Sequence, residues 1–413
     1  MFYPRALADP DWGIKLTGKE GHHAVAFYSV MDNITNLLFP ASRNRSVFGS
    51  TSLDMKSLGT VLRYRRDIGK VSTLGVLLTD REGKDYFNRL GGVDAYLRFT
   101  RHKQIRFQFI ASQTRYPDQV AADYGQPADR LTGTALDFAF RHSSRNFGYY
   151  LFYQQITPKF RADLGFLSQV DYRNIAGGFI LASWRNPGHW YTFINVTPQF
   201  EYEVDFDNNL IYKTVKVSTN YNGPAQTFLT LTGSLGKRAF MGNVYDTNSV
   251  EANLVVTPVG DIVLGGYGQY GDQIDFSNNQ GGTQLYLAPF IVFRPGRHIW
   301  SSLDYIFERF NVDAGRLYTA NIIDFKLIYN FSRRAFLRTI LQYYHYKYNT
   351  ENYSFPIDPE FKHLFTQVLF SYKINPRTML FLGYSDDHYG FRTVPLKQNN
   401  RTIFLKIGYA LVL

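Results

Sequence analysis

The sequence predicts an all-β protein, a transmembrane antiparallel up-and-down β-barrel of about 22 strands, with about 20 strands as the second choice. Three observations predict this fold class. Segments of about ten residues alternate apolar and polar side chains along the whole chain, their polar positions carry Arg, Lys and Asp, and amphipathic-helix periodicity is nearly absent. We expect the whole chain, residues 1–413, to form this one domain, without a signal peptide or an N-terminal periplasmic module.

One segment shows the alternation that recurs along the chain. In IIDFKLIYNF, Ile323, Phe325 and Leu327 fall on one face of the predicted strand, and Asp324 and Lys326 fall on the other. Successive side chains of a strand point to opposite faces, so one face is apolar and the other is charged. A soluble β-sandwich would bury its apolar faces in one core, but about 21 such strands cannot all cover one interior. A barrel with lipid outside and water inside satisfies both faces.

The connections between strands alternate between tight turns and long polar links. The tight turns are RNPGH (185–189), TPVGD (257–261), RPGRH (294–298) and INPR (374–377). The long links are 33–56, 116–131, 349–361 and 386–399. Short turns are typical of the periplasmic end of a barrel and long loops of the external end. Because the number of strands should be even, we expect one more strand before Trp12, and FYPRAL (2–7) is the candidate.

Composition narrows the possible functions. The chain has 45 basic and 34 acidic residues spread along its length, without the clustered basic arm or motif of a nucleic-acid-binding protein. Aromatic residues make up 17%, and cysteine is absent. No run approaches the roughly 18 to 20 apolar residues of a membrane helix. The N-terminal MFYPRALADP lacks the apolar core of a signal peptide, so we expect that a leader has been removed. The predicted location is the bacterial outer membrane.

The last eight residues, KIGYALVL, match a barrel-assembly signal. The spacing of four residues resembles the C-terminal signal that the outer-membrane assembly machinery reads. These residues are Lys406, Gly408, Leu411 and Leu413. In that pattern a polar residue is followed by Gly two positions later and by apolar residues at the end. The octapeptide predicts that the chain closes on a strand with one face toward lipid.

Three patches, KLTGK (15–19), LLTDREGKDYFNRLGGVDA (77–95) and FRADLGFLSQVDYR (160–173), carry a family resemblance. Together they resemble the barrel half of an outer-membrane family of unknown function. In that family a periplasmic domain similar to a family-nine carbohydrate-binding module precedes the barrel. The resemblance covers roughly the first half of the chain and implies a fold and a location, with little chemistry.

Charged side chains on the polar faces are the candidate site. Alternation predicts that the following residues line a pore: Arg63, Arg65, Asp94, Arg98, Arg106, Asp137, Arg141, Asp304, Asp324, Lys326, Arg338 and Lys406. A basic excess in a pore favours anions, but the same residues can instead pair across strands and solvate the wall. Barrels of 22 strands need a plugged lumen. The link 33–56 carries an apolar NLLFP, which either folds inward as a constriction or forms an external loop.

Two polar clusters have weaker interpretations. Asp386, Asp387 and His388 in SDDHYG are loosely like the acid–His pairs of outer-membrane proteases, and Asp205 with Asp207 in EVDFDNN alternates like a calcium loop. For both, a polar loop is the simpler interpretation. We assign no catalytic residue, no metal and no cofactor.

The sequence therefore predicts a channel or transporter for small polar or anionic solutes, with saccharides included if the family's carbohydrate-like module guides substrate. The alternative is a non-conducting anchor or platform for a periplasmic domain or partner, and an outer-membrane hydrolase ranks third. The expected partners are outer-membrane lipid, the outer-membrane assembly machinery, and a saccharide or a periplasmic domain. Nucleic acid is not among them.

Overall fold

A computed structural model describes residues 6–42 and 49–410. Twenty-two antiparallel strands belong to one sheet, and a separate two-stranded sheet is formed by β3 and β4. The first strands are β1 (Pro10–Glu20), β2 (His23–Asp32), β3 (Thr35–Phe39), β4 (Gly49–Leu53), β5 (Ser57–Ile68), β6 (Ser72–Gly83), β7 (Tyr86–Arg98) and β8 (Lys103–Arg115). A short helix, α1 (Asp118–Asp123), follows.

The sheet continues to the end of the described chain. Its middle strands are β9 (Leu131–Ser143), β10 (Phe147–Ile156), β11 (Tyr172–Trp184), β12 (Phe193–Val204), β13 (Leu210–Gly223), β14 (Thr227–Phe240), β15 (Asn243–Asp246) and β16 (Ser249–Val259). The last are β17 (Ile262–Asp275), β18 (Gln280–Phe293), β19 (Ile299–Val312), β20 (Gly315–Asn330), β21 (Ala335–Tyr348), β22 (Glu360–Asn375), β23 (Thr378–Phe391) and β24 (Lys397–Tyr409), with a 3₁₀ turn at Thr350–Asn352.

Pairing follows chain order, which is the up-and-down topology. β1 pairs with β2, β2 with β5, each strand from β5 to β10 with the next, β14 with β16, and each strand from β16 to β23 with the next. The predicted fold class, an antiparallel up-and-down barrel of about 22 strands, is confirmed.

The chain contains two compact units. The first comprises the described residues of Met1–Leu181 with Pro198–Val215 and Arg238–Val244. The second comprises those of Ala182–Thr197, Lys216–Lys237 and Tyr245–Leu413.

Short turns join most strands at one end of each unit, but the predicted tight turn 185–189 is wrong, since it lies in the longer link 185–192. Gly21 and Gly69 adopt φ of 52° and 59° at two of these turns, in the left-handed region where a side chain is unfavourable. The opposite end carries the long links 33–56, 116–130 and 157–171 in the first unit and 349–359 in the second. Links at this end are not uniformly long, since residues 84–85 and 313–314 are tight turns too.

Two details of the predicted connections are wrong. Residues 386–391 belong to β23 and 397–399 to β24, so the predicted loop 386–399 shrinks to 392–396. Residues 386–391 of β23 stay in the sheet despite their polarity, because they pair with residues of β22, and those up to 389 also pair with β24. The link 116–131 contains α1. Of the candidate strand FYPRAL (2–7), residues 2–5 lie outside the described residues, and Ala6 and Leu7 precede the first strand. That candidate stays a prediction.

Apolar side chains are exposed on one face of the strands. On β24, Ile403, Leu405, Ile407 and Tyr409 are 72%, 66%, 65% and 62% exposed. Such a continuous apolar stripe is unfavourable in water and favourable against acyl chains. Among the described residues, no helix has the length and apolarity needed to cross a membrane.

Candidate functional site

In the first unit, the predicted charges of β5 to β9 share one face, here named the polar face. The Arg63 guanidinium donates two hydrogen bonds to the Asp94 carboxylate, one of them 2.8 Å long. Arg106 Nε lies 3.1 Å from Asp137 Oδ1. These side chains are between 21% and 61% exposed, as expected for ion pairs in contact with water. The charges therefore pair across strands.

The remaining predicted basic residues of this unit have other partners. Arg65 Nε lies 3.6 Å from Asp67 Oδ1, and Arg98 donates a hydrogen bond of 3.2 Å to the Tyr96 hydroxyl. Arg141 lies on β9 opposite Tyr150 of β10 and Gln104 of β8. Lining of a pore by this set stays a prediction.

The other half of the same polar face is buried. On β7, Tyr86, Asn88 and Leu90 have the same alternation phase as Asp94, yet they are 2%, 0% and 5% exposed. The links 33–56 and 157–171 cover them. The two links also join each other, because the Ala41 amide donates a hydrogen bond of 2.9 Å to the Ser168 carbonyl. The polar face thus has a solvated half with ion pairs and a covered half.

The described part of the link 33–56 packs apolar residues onto this face. Its hairpin β3–β4 buries Leu37 and Phe39, which are 1% and 0% exposed, against Tyr86, Tyr116 and Leu131. The described part of NLLFP thus folds onto the polar face, and constriction of a pore by this link stays a prediction. Burying large side chains this completely contributes roughly 1.5 to 3 kcal/mol each.

A buried arginine attaches the hairpin to the sheet. Arg81 of β6 is fully buried, and its guanidinium donates to Ser57 Oγ at 3.1 Å, to the Asn36 carbonyl at 2.8 Å and to Asp32 Oδ2 at 3.3 Å. Asp32 also accepts the backbone amide of Asp9 at 2.7 Å. A buried charge is tolerated only when it is paired and hydrogen-bonded, and this one is both.

A buried aspartate attaches the link 157–171 in the same way. The Asp163 carboxylate accepts hydrogen bonds from the hydroxyls of Tyr86 at 2.7 Å and Tyr116 at 3.1 Å. Its backbone amide donates to Asn88 Oδ1 at 3.0 Å. Burial raises the pKa of Asp163, against the opposing effect of these hydrogen bonds and of the Arg81 and Arg161 charges.

The neighbours of Asp163 fit the link closely to the sheet. The Arg161 amide donates to Ser112 Oγ at 3.2 Å, and its guanidinium donates to Gln126 Oε1 at 2.9 Å. Phe160 is completely buried above Gly133 of β9, where any Cβ would collide with the Phe160 backbone. Only glycine fits at residue 133 without displacing the link. The patches 77–95 and 160–173, which carry the family resemblance, therefore meet in one packed cluster.

In the second unit, the predicted residues lie on the polar faces of β19 to β24. Asp304 is directly opposite Asp324, whose Oδ2 accepts the Gln342 amide at 2.7 Å. Lys326 Nζ lies 5.1 Å from the ring centroid of Trp300. Arg338 donates to Gln367 at 2.9 Å, and Lys406 is opposite Phe381.

Half of the predicted assembly signal can be placed. Lys406 and Gly408 lie in β24, and a Cβ at Gly408 would meet no atom within 4 Å. Leu411 and Leu413 lie outside the described residues.

The acid–His cluster is divided between the two faces of β23. Asp387 accepts a hydrogen bond from His363, whereas Asp386 of the opposite phase accepts from Tyr384 at 2.7 Å and Arg401 at 3.1 Å. His388 Nδ1 lies 3.8 Å from Asp386 Oδ1. Adjacent strand residues point apart, so the two aspartates do not converge on one substrate position.

The calcium-like loop is a turn. Asp205 Oδ1 accepts the backbone amides of Asp207 at 3.0 Å and Asn209 at 2.7 Å. Within residues 6–42 and 49–410, no group of three or more His, Cys, Asp or Glu side chains is placed to hold a metal ion.

Sequence reasoning missed the buried polar residues of the covered half, Arg81, Asn88, Arg161 and Asp163. FRADLGF alternates apolar and polar residues as a strand does, so alternation did not distinguish this link from a strand. Pairing with Tyr86 and Tyr116 depends on contacts 77 and 47 residues apart, which alternation does not reveal.

No protein-family model matches the sequence, and no curated protein sequence matches it. Solved structures do match. The siderophore receptor PirA from Pseudomonas aeruginosa is 11% identical over 94% of this chain and 74% of that chain, with a TM-score of 0.46. PirA from Acinetobacter baumannii is 10% identical over 94% and 74%, with a TM-score of 0.42. OmpT, an outer membrane protein of Vibrio cholerae, is 12% identical over 94% and 99%, with a TM-score of 0.31.

The fold class and the lipid-compatible face define the class of protein. The sheet is antiparallel and up-and-down. Its exposed apolar stripe is stable in contact with lipid acyl chains and unfavourable in contact with water. This chain is a bacterial outer-membrane β-barrel protein.

Proposed function

We propose that this protein is a channel for small polar solutes, narrowed in its first unit by the inward-packed links 33–56 and 157–171. The observation that carries the proposal is the division of one polar face into a solvated half and a covered half. The solvated half, with Arg63–Asp94 and Arg106–Asp137, is suited to line water. The covered half is suited to restrict what passes.

Single-channel recording in planar bilayers tests the proposal. We expect the wild-type protein to give small unitary currents. Replacing 36–52 by a short Gly-Ser link should raise the conductance, because the deleted hairpin no longer fills the covered half. A matched control replaces the turn 294–298, at the other end of the strands, and should leave the conductance unchanged. Absence of current from both the wild-type protein and the hairpin deletion would contradict a channel.

The solute class depends on the charge balance and on the family resemblance. The predicted lining has eight basic and four acidic residues, Arg63, Arg65, Arg98, Arg106, Arg141, Lys326, Arg338 and Lys406 against Asp94, Asp137, Asp304 and Asp324. This excess favours anions, but cross-strand ion pairs weaken it, so we propose a weak anion preference. Saccharides belong among the candidates through the resemblance to the family with a carbohydrate-binding-like module. Liposome swelling with neutral sugars of increasing size would measure whether saccharides pass and up to which size.

The alternative is a non-conducting anchor for a periplasmic domain or partner. The buried hydrogen-bond network around Arg81 and Asp163 favours it, since links held in this way can also close a lumen permanently. The hairpin deletion distinguishes the two: current only from the deletion indicates a closed anchor, and current from both proteins indicates a channel. We also propose that the assembly machinery reads the C-terminal signal. A Gly408→Asp variant that inserts normally in cells would contradict this role.

A further inference from the structure

A second covered region lies on the polar face of the second unit. Register places Gln284 opposite Phe310, Phe310 opposite Tyr318, and Tyr318 opposite Tyr348, so these side chains share one face with Glu308. The link 349–359 covers this face and leaves a cavity of about 520 Å³. Its lining includes Gln273, Asp275, Gln284, Glu308, Tyr318, Tyr346, Tyr348, Tyr353 and Phe355. Small-molecule sites are typically about 300 to 1,000 Å³.

Aromatic rings form walls in several orientations around the cavity. The rings of Tyr346 and Tyr348 are parallel to within 7°, with centroids 5.9 Å apart. Tyr353 stands at 86° to Tyr348 at 5.8 Å, and Phe355 stands at 71° to Tyr353 at 5.5 Å. At these separations neighbouring rings are in contact, so together they form a continuous aromatic wall with faces in more than one orientation.

The link that carries two of these rings is fixed to the sheet. The Ser354 amide and hydroxyl both donate to Asn278 Oδ1 at 2.9 Å, and Asn352 Nδ2 donates to the Arg316 carbonyl at 3.0 Å. Burial raises the pKa of Tyr353, so its phenol remains neutral at physiological pH. The cavity is therefore preformed with uncharged aromatic walls.

The charge in the cavity has one sign. Glu308 and Asp275 contribute carboxylates, and among the described lining residues none is Lys, Arg or His. Both neutral donors to Glu308, Gln284 Nε2 and the Tyr318 hydroxyl, use the same oxygen, Oε1. The fixed charge disfavours an anionic solute here, whereas a cation would meet the carboxylate of Glu308 beside aromatic rings.

We propose that this cavity binds an organic cation with a compact alkylammonium head group. Ring faces attract such a cation through their quadrupole, most strongly where water is displaced. Glu308 supplies the countercharge. The site goes beyond the proposed channel function, because binding can be measured on the detergent-solubilised protein whether or not it conducts.

Isothermal titration of the folded protein with choline tests the site. The comparison ligand is 3,3-dimethylbutan-1-ol, the uncharged isostere of choline, and glucose is the saccharide probe. We expect choline to bind at least about tenfold more tightly than the isostere, because only choline gains the cation–π and carboxylate interactions. Equal affinity for the two ligands, absence of choline binding, or binding of glucose alone would overturn the proposal.

Matched variants locate the site. Glu308→Gln keeps the acceptor for Tyr318 and should weaken choline binding by about tenfold, whereas Asp324→Asn, a carboxylate on the same face outside the cavity, should leave it unchanged. Tyr353→Leu should weaken binding and Tyr353→Phe should preserve it. Heat-modifiable gel migration confirms folding of each variant. Unchanged choline affinity in a folded Glu308→Gln variant would overturn the assignment of Glu308.

Discussion

The Asp163 carboxylate accepts a hydrogen bond of 2.7 Å from the hydroxyl of Tyr86, a residue 77 positions earlier in the chain. Both side chains are almost completely buried, at 5% and 2% exposed. This contact joins the link 157–171 to the start of β7, and so connects two of the three segments that carry the family resemblance. The stability of the covered half therefore depends on how this carboxyl group is protonated.

Acid should tighten the packing of the link 157–171. Burial raises the pKa of Asp163 in the packed state, so the unpacked link binds fewer protons than the packed one at intermediate pH. The stabilisation is complete below the ordinary aspartate pKa of about 4 and is lost as pH rises through the raised pKa. Hydrogen–deuterium exchange of residues 157–171, corrected for intrinsic rates, should show more protection at about pH 4 than at pH 7.

The variant Asp163→Asn checks the origin of this pH dependence. Asparagine is uncharged throughout this range, so the difference in protection between the two pH values should disappear. Asp207→Asn, in the 205–209 turn, is the matched control and should retain the difference. If Asp163→Asn kept the wild-type dependence, another group would be responsible.

A methyl group at residue 133 should displace the link. Gly133→Ala places a Cβ against the backbone nitrogen and Cα of Phe160, and overpacking of this kind costs about 1 to 3 kcal/mol. The expected results are a lower unfolding free energy in urea and faster exchange in residues 157–171. Gly18→Ala is the control, because a Cβ there meets no atom within 4 Å. Equal stability of the two variants would contradict the close fit.

Removing the buried guanidinium should destabilise the first unit strongly. Arg81→Met keeps much of the volume but leaves Asp32 without its ion-pair partner, which costs about 3 to 5 kcal/mol in buried pairs. Arg89→Met removes a half-exposed arginine from β7, whose ion pairs with Asp80 and Glu82 are worth at most about 1 kcal/mol. Urea titration of both variants compares these costs directly. If Arg81→Met lowered the free energy of unfolding no more than Arg89→Met does, the buried Arg81–Asp32 ion pair would not contribute to stability as expected.

The sheet was predictable because its determinant is local. Alternation with period two appears within any ten residues, so strands such as β20 and β24 are evident without knowledge of their neighbours. Link boundaries were less predictable. Asp386 and Asp387 are polar in sequence, yet cross-strand partners keep them in β23.

The covered half of the polar face was only partly predictable. The apolar NLLFP in the link 33–56 indicated an inward position as one of two interpretations, and Leu37 and Phe39 are buried as that interpretation requires. The hydrogen bonds around Arg81 and Asp163 were not predictable, because each joins residues more than 20 positions apart whose pairing depends on the folded sheet.

Ion selectivity should respond to a single cross-strand pair. Asp94→Asn removes the carboxylate that neutralises Arg63, so one more uncompensated positive charge faces the solvated half of the polar face. In a KCl gradient, the reversal potential should shift toward that of chloride. Asp80→Asn removes the same charge from β6 on the opposite face and should leave the reversal potential unchanged. A shift of equal size in both variants would indicate a general surface-charge effect. No shift in either variant would place the Arg63–Asp94 pair away from the ion path.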